Sequence, residues 1–288
     1  IGTRGLKMTW KIVSDSGCDF RELKDLALDT NFENVPLTIQ VGQEIFIDNA
    51  ELNIDLMMEK MYAISTASKS ACPSPDDYLK AFAGADNIFV VTITGTLSGS
   101  HNSAQVAKKL YLEEHPNVNI HVIDSLSAGG EVDLLVQKLN QLISNGLSFD
   151  EIVQEITNYQ SKTKLLFVLA KVDNLVKNGR LNKLIGTVVG LLNIRMVGEA
   201  GPQGTLELLQ KARGYKKSLS AAFEEIIKAG YAGGEIIISH RNNDKFCQQF
   251  SDLVREKFPN AQIQAIPTSG LCSFYAEEGG LLMGYEVG

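Results

Sequence analysis

Basic residues are in deficit: 27 Lys and Arg stand against 34 Asp and Glu, giving a formal charge of −7 at pH 7. That argues against a nucleic-acid partner, which needs a basic stripe to displace counterions from phosphates. Cysteine is scarce, and Cys18, Cys72, Cys247 and Cys272 show no paired spacing, so neither a disulfide framework nor a zinc site is expected. No apolar run approaches the roughly 18 residues that span a bilayer, and no early stretch has the layout of a signal peptide. These absences predict a soluble, cytoplasmic protein with no membrane span. His101, His115, His121 and His240 form no ligand-spaced cluster, so no metal is expected. There is no phosphate-binding P-loop, and Gly198, Gly201 and Gly204 lack the strand-before, helix-after setting of a dinucleotide fingerprint. Residues 1–7 precede Met8 without periodicity and read as an expression remnant outside the fold.

What is present is ordinary globular material: 288 residues, 44% hydrophobic, enough for one large domain or two packed lobes with real cores. A strand at 10–14 runs into Asp15 and Ser16, a strand or hairpin occupies 35–47, and a helix is expected at 53–62. Ser74, Pro75, Asp76 and Asp77 combine a capping serine, a proline at the first helical position and acids at the positive end of the helix dipole. The near-continuous apolar run 87–93 reads as a strand covered on both faces of a parallel sheet. A helix at 103–114, a strand at 119–123, a helix at 131–144 and a capped helix at 148–161 continue the alternation of a parallel α/β lobe. After Lys162 the strands at 165–170, 193–197, 205–212, 235–240 and 262–266 alternate polar and apolar residues, the pattern of a mixed or antiparallel α/β lobe. Helices near 172–177, 216–229 and 244–257 separate them. The expected domains are 8–160 and 161–288.

Between the strand at 87–93 and the helix that follows lie Thr94, Gly95, Thr96, Leu97, Ser98, Gly99 and Ser100. The glycines permit tight backbone geometry, and the hydroxyls sit beside free helix amides, a setting that suits a phosphate or carboxylate. Hydroxyls in such a turn also serve simply as helix caps, and the turn alone does not decide between these roles. A serine-esterase elbow fails here, because the glycine required two residues before Ser98 is Thr96.

Several ordered motifs resemble those of the DegV family: Asp15 and Ser16; Val35, Pro36 and Leu37; Pro73, Ser74 and Pro75; Leu97, Ser98 and Gly99 before Ser103 and Ala104; and Ile123, Asp124 and Ser125. The series continues with Asn178, Gly179 and Arg180, then Leu192, Asn193 and Ile194, then Ala212, Arg213 and Gly214 with Lys216 and Lys217, so the resemblance covers residues 11–285. It implies a two-lobed, EDD-fold protein with a ligand between the two lobes, one that binds a long-chain fatty acid in a buried tunnel, uses no further cofactor, and presents the acyl group to a separate fatty acid kinase. By the same resemblance Ser98, Thr94, Thr96 and Gly99 form the turn that meets the carboxylate, Ser70 stands where the family usually has threonine, and Arg180 and Arg213 lie near the tunnel mouth. A carboxylate at the edge of an apolar tunnel needs several hydrogen bonds to offset its lost hydration.

This chain departs from the family pattern in three places. Ser70, Ala71 and Cys72 replace the usual Thr, Ser and Gln, and Arg195 and Met196 replace a lysine and a proline. The family histidine before a Gly-Pro-Gly turn is missing from the region of Tyr275, Ala276, Glu277, Glu278, Gly279 and Gly280, with Ala276 as its substitute. Phe32, Phe46, Ile64, Phe82, Phe167, Leu191, Leu192 and Phe274 are candidates for the tunnel wall, but the sequence does not separate tunnel from core, and for any one of them core is the commoner outcome. The leading expectation is a non-catalytic lipid carrier. Two alternatives stand beside it: a serine-dependent acyl hydrolase or acyltransferase, and a regulatory protein with a structural lipid.

Overall fold

The apolar run ending at Thr92 lies inside a four-stranded parallel sheet. The computed structural model describes residues 7–183, 185–186 and 193–288. Strand β1 (Trp10–Asp15) pairs with β2 (Thr30–Val35) on one side and with the fully buried Asn87–Thr92 strand on the other. Numbered in chain order, β3 (Thr38–Val41), β4 (Glu44–Ile47) and β5 (Lys69–Ala71) form a small antiparallel sheet, which makes the strand at 87–92 β6; β7 (Asn119–Asp124) completes the parallel sheet in the order β2-β1-β6-β7. The expected element at 35–47 therefore begins later than β2, a separate strand whose polar residues, TNFENV, hide it from a hydrophobic pattern.

Helices α1 (Ile54–Ala63), α2 (Pro75–Phe82), α3 (Ser100–Glu114), α4 (Gly130–Ser144) and α5 (Phe149–Gln160) connect and cover these strands. Ser74 caps α2 and Ser148 caps α5, each in a reciprocal box with Asp77 or Glu151. The first turn of α3 starts at Ser100, three residues before the expected position, so the hydroxyl turn leads straight into the helix.

The strands from residue 163 onward make a mixed six-stranded sheet. They are β8 (Thr163–Leu169), β9 (Ile194–Ala200), β10 (Leu206–Arg213), β11 (Ile236–His240), β12 (Ile263–Pro267) and β13 (Leu281–Glu286), in the order β10-β9-β8-β13-β11-β12. Only the β11–β12 pair is parallel. Helices α6 (Asp173–Lys177), α7 (Tyr215–Lys228), α8 (Asp244–Lys257) and α9 (Gly270–Ala276) accompany it. β5, α9 and β13 were not expected from the sequence.

The strand period of two sorts this sheet's residues between its faces. Leu166, Val168, Val197, Leu281 and Met283 join a core with Ala222, Phe246 and Phe250 of α7 and α8, while Leu165, Phe167, Leu169 and Leu282 turn to the other side. Helix α4 is buried along most of its length and packs against both large sheets. Its approach to β13 is backbone on backbone: a Cβ on Gly130 would lie 2.4 Å from the Gly284 nitrogen, and one on Gly284 2.3 Å from the Gly130 carbonyl carbon. Among the described residues no helix is long and apolar enough to cross a membrane.

Candidate functional site

A cavity of about 400 Å³ opens where the carboxyl edge of the parallel sheet meets the free face of the mixed sheet, a size that suits a small organic ligand. Leu165, Phe167 and Leu169 supply alternate residues of β8, Leu282 comes from β13, and Leu206 and Ala200 from the β9–β10 hairpin. Leu37, Ile93, Leu97, Leu126 and Leu271 extend the apolar wall. The polar lining includes Ser70, Thr94, Ser98, Ser127, Arg180 and Tyr275. Among the described residues, no Asp, Glu, His or Lys borders it, and no cluster of three His, Cys, Asp or Glu can hold a metal.

Two acids, buried Asp15 and half-buried Asp124, support the turn after β6 from beneath. Asp15 accepts hydrogen bonds from the Gly17 amide (2.9 Å), from the Ile93 amide (3.0 Å to Oδ2) and from Ser100 Oγ (2.6 Å). The Tyr78 phenol in turn lies 2.6 Å from Ser100 Oγ. Burial is the largest influence on Asp15 and lifts its pKa from 3.8 to about 6, against the lowering effect of its hydrogen bonds to Ser100, Ile93 and Gly17. Asp124, at the end of β7, accepts from the amides of Gly95 and Leu126 at 3.0 Å each. Two carboxylates thus hold both cavity-lining loops from behind.

The hydroxyls of the turn divide into two groups. Thr94 Oγ1 donates to the Gly204 carbonyl at 2.8 Å, and Thr96 Oγ1 donates to the Gln203 carbonyl at 2.5 Å. Both therefore anchor the tip of the β9–β10 hairpin and keep no hydrogen for an anion. Gly204 has φ +78, and a Cβ there would lie 2.2 Å from Thr94 Oγ1, so only glycine fits under this clasp. Ser98 Oγ accepts from the Ser100 amide at 3.2 Å, which leaves its own hydrogen available. Ser70 is brought to the same wall through β5, since the adjoining Cys72 Sγ lies 3.0 Å from where a Cβ on Gly99 would stand.

Ser98, Gly99, Ser70, Thr94 and Arg180 all border the cavity. Thr96 does not, and Arg213 is exposed on β10 outside the lining. The Arg180 guanidinium donates to the Leu97 carbonyl at 3.2 Å and to the Asn178 carbonyl, and so braces the far side of the turn. Of the aromatic and aliphatic candidates for a tunnel wall, Phe167 lines the cavity, whereas Phe82 and Phe274 are packed in separate cores, Phe32 and Phe46 pack against cores, and Ile64 is 37% exposed. These residues fail as tunnel wall because apolar character alone does not distinguish the side of an element that faces a neighbour from the side that faces a void. Leu191 and Leu192 lie outside the described residues.

The sequence profile of the DegV family of uncharacterised proteins matches residues 9–286. The chain belongs to the DegV family. A DegV domain-containing protein of Streptococcus gordonii is 98% identical over 281 residues, covering 98% of this chain and 100% of its own. The fatty acid kinase (Fak) B3 protein of Streptococcus pneumoniae, solved loaded with linoleic acid, is 72% identical with a TM-score of 0.97, over 98% of this chain and 100% of that one. A DegV protein of Eubacterium eligens loaded with heptadecanoic acid is 38% identical with a TM-score of 0.93, over 97% of this chain and 100% of its own.

In this DegV protein the position taken for the missing family histidine, Ala276, is buried and borders the cavity. Its neighbour Tyr275 borders the cavity as well and carries a hydroxyl, which the sequence reading passed over. The polar contact of that hydroxyl is with Ser70, 205 residues away, so no local pattern announces it.

Proposed function

We propose that this protein is a non-catalytic carrier of a long-chain fatty acid, with the acyl chain in the cavity and the carboxylate at its hydroxyl-bearing end. The observation that carries this reading is the lining itself: an apolar wall on the face of the mixed sheet, with Ser98 at the edge of the parallel sheet and Ser70 on β5 of the small antiparallel one. An anion leaving water for such a site needs directed donors, and hydroxyl hydrogens supply them without a neutralising partner. Ser98 and Ser70 are the primary head-group donors; Gly99 keeps the turn open, and Thr94 shapes the wall while it clasps the hairpin. Arg180, braced at the cavity, and Arg213, exposed on β10 with Lys216 and Lys217 nearby, are the basic groups that would meet a kinase partner and its phosphate. The kinship to the fatty acid kinase B3 protein supports presentation of the acyl group to a fatty acid kinase, and linoleic acid is the first ligand to test.

A serine-hydrolase reading lacks a base. No histidine borders the cavity among the described residues, and the His101 ring is placed 3.3 Å from Thr92 Oγ1. Native mass spectrometry of the protein purified from a bacterial host is the test. Co-purifying fatty acid that is lost in Ser98→Ala supports the carrier. Lipid-free preparations that turn over an acyl ester, with turnover abolished by Ser98→Ala, would overturn it.

A further inference from the structure

Two hydroxyls from distant parts of the chain meet at the cavity wall. Ser70 Oγ on β5 and the Tyr275 phenol on α9 lie 2.6 Å apart, and both residues border the cavity. We propose that Tyr275 is a positioning residue for the head group: its phenol donates to Ser70 Oγ, and Ser70 donates to the carboxylate of the bound acid. This deepens the fatty-acid reading above and rests on it.

The direction of the relay follows from the chemistry of the groups. At 2.6 Å one hydrogen lies between the two oxygens, so the pair has one hydrogen left to offer. A carboxylate can only accept. Phenols are stronger acids than aliphatic alcohols, so the phenol is the better donor within the pair, and the serine hydrogen remains free for the anion. Donation by the phenol also polarises the serine O–H and strengthens the bond it makes next. The ring is held in place for this task, edge-on to Phe274 at 4.8 Å between centroids and packed against the apolar side chains beneath β3. The only cation in the described lining, Arg180, gives two of its five N–H groups to backbone carbonyls, so the hydroxyl pair is a separate source of donors to an anion.

The test compares linoleic acid with its methyl ester on wild type, Tyr275→Phe, Ser70→Ala and the double variant. Phenylalanine keeps the ring and removes only the hydroxyl, and ester binding reports on the integrity of the tail wall. The relay predicts that Tyr275→Phe weakens the acid about tenfold and leaves the ester nearly unchanged, and that the double variant is no weaker for the acid than Ser70→Ala alone. Equal losses for acid and ester, no loss for either, or strictly additive losses in the double variant would overturn it. Wild-type protein that binds neither compound overturns the fatty-acid reading and the relay with it, whereas normal wild-type binding of the acid with an indifferent Tyr275→Phe overturns the relay alone.

Discussion

The residues before 161 bring the hydroxyls of Ser70, Thr94, Ser98 and Ser127 to the cavity beside Leu37, Ile93, Leu97 and Leu126, whereas those after 162 bring mainly Leu165, Phe167, Leu169, Leu206 and Leu282, with Arg180 and Tyr275 as polar exceptions. The difference follows from how each sheet is used. The parallel sheet borders the cavity at its carboxyl edge, where strands end in loops and helices begin, so turn residues collect there. The mixed sheet borders the cavity with a face, where alternate residues of β8 and β13 are apolar for the same reason as any core residues. On the proposed reading the head group is met by the turn hydroxyl of Ser98 together with Ser70 of β5, and the acyl chain by a sheet face.

The comparison breaks most readily at the tail. Each two-carbon truncation of the acid should cost about 1.6 kcal/mol, roughly fifteenfold in Kd, and should do so equally in wild type and Ser98→Ala. Calorimetric titration with a chain-length series checks this, and a truncation cost that disappears in Ser98→Ala would mean that head and tail are not read separately.

A separate pH effect is confined to the support of the turn. Because burial lifts the folded Asp15 pKa to about 6, the protein retains that proton more strongly than the unfolded chain does. The associated stability is fully present below 3.8 and is lost as pH rises through about 6, on the order of 3 kcal/mol in all. Carbon NMR of labelled aspartate should find a carboxyl titrating near 6. Ser100 donates to the ionised form, so Ser100→Ala should push that titration higher still. A titration near the ordinary aspartate value in both proteins would remove the buried acid from the account.

Ser98→Ala is expected to lose about 2 kcal/mol in acid affinity, roughly thirtyfold, with little change in the urea midpoint. Thr96→Val is expected to do the reverse, lowering stability by about 1 kcal/mol through the lost hairpin bond while affinity stays near wild type. Parallel binding and unfolding measurements on the two variants would separate the hydroxyls that meet the ligand from those that hold the lobes.

Much of this arrangement is readable in the residues themselves. The apolar run of β6, the capping boxes at Ser74 and Ser148 and the glycine-bearing turn each carry a local signal, and local signals survive folding. β13 was missed because LLMGYE shows no alternation: Leu281 and Met283 face one core, Leu282 the cavity, and Gly284 the backbone of α4. The seven-residue α9 depends on contacts from afar, since Asp48 accepts from the Gly270 and Leu271 amides at 2.8 Å and Asp19 accepts from the Ser269 amide at 2.8 Å. The two roles of the turn hydroxyls were hidden for the same reason, because the carbonyls that take the hydrogens of Thr94 and Thr96 lie more than a hundred residues further along.

The separation of head from tail can be seen directly in a crystal of the complex with a long-chain fatty acid brominated on its terminal carbon. The account predicts an anomalous bromine peak among the leucines of β8 and β13, with the carboxylate at Ser98 and Ser70. A bromine peak beside Ser98, with the carboxylate against Phe167, would contradict it.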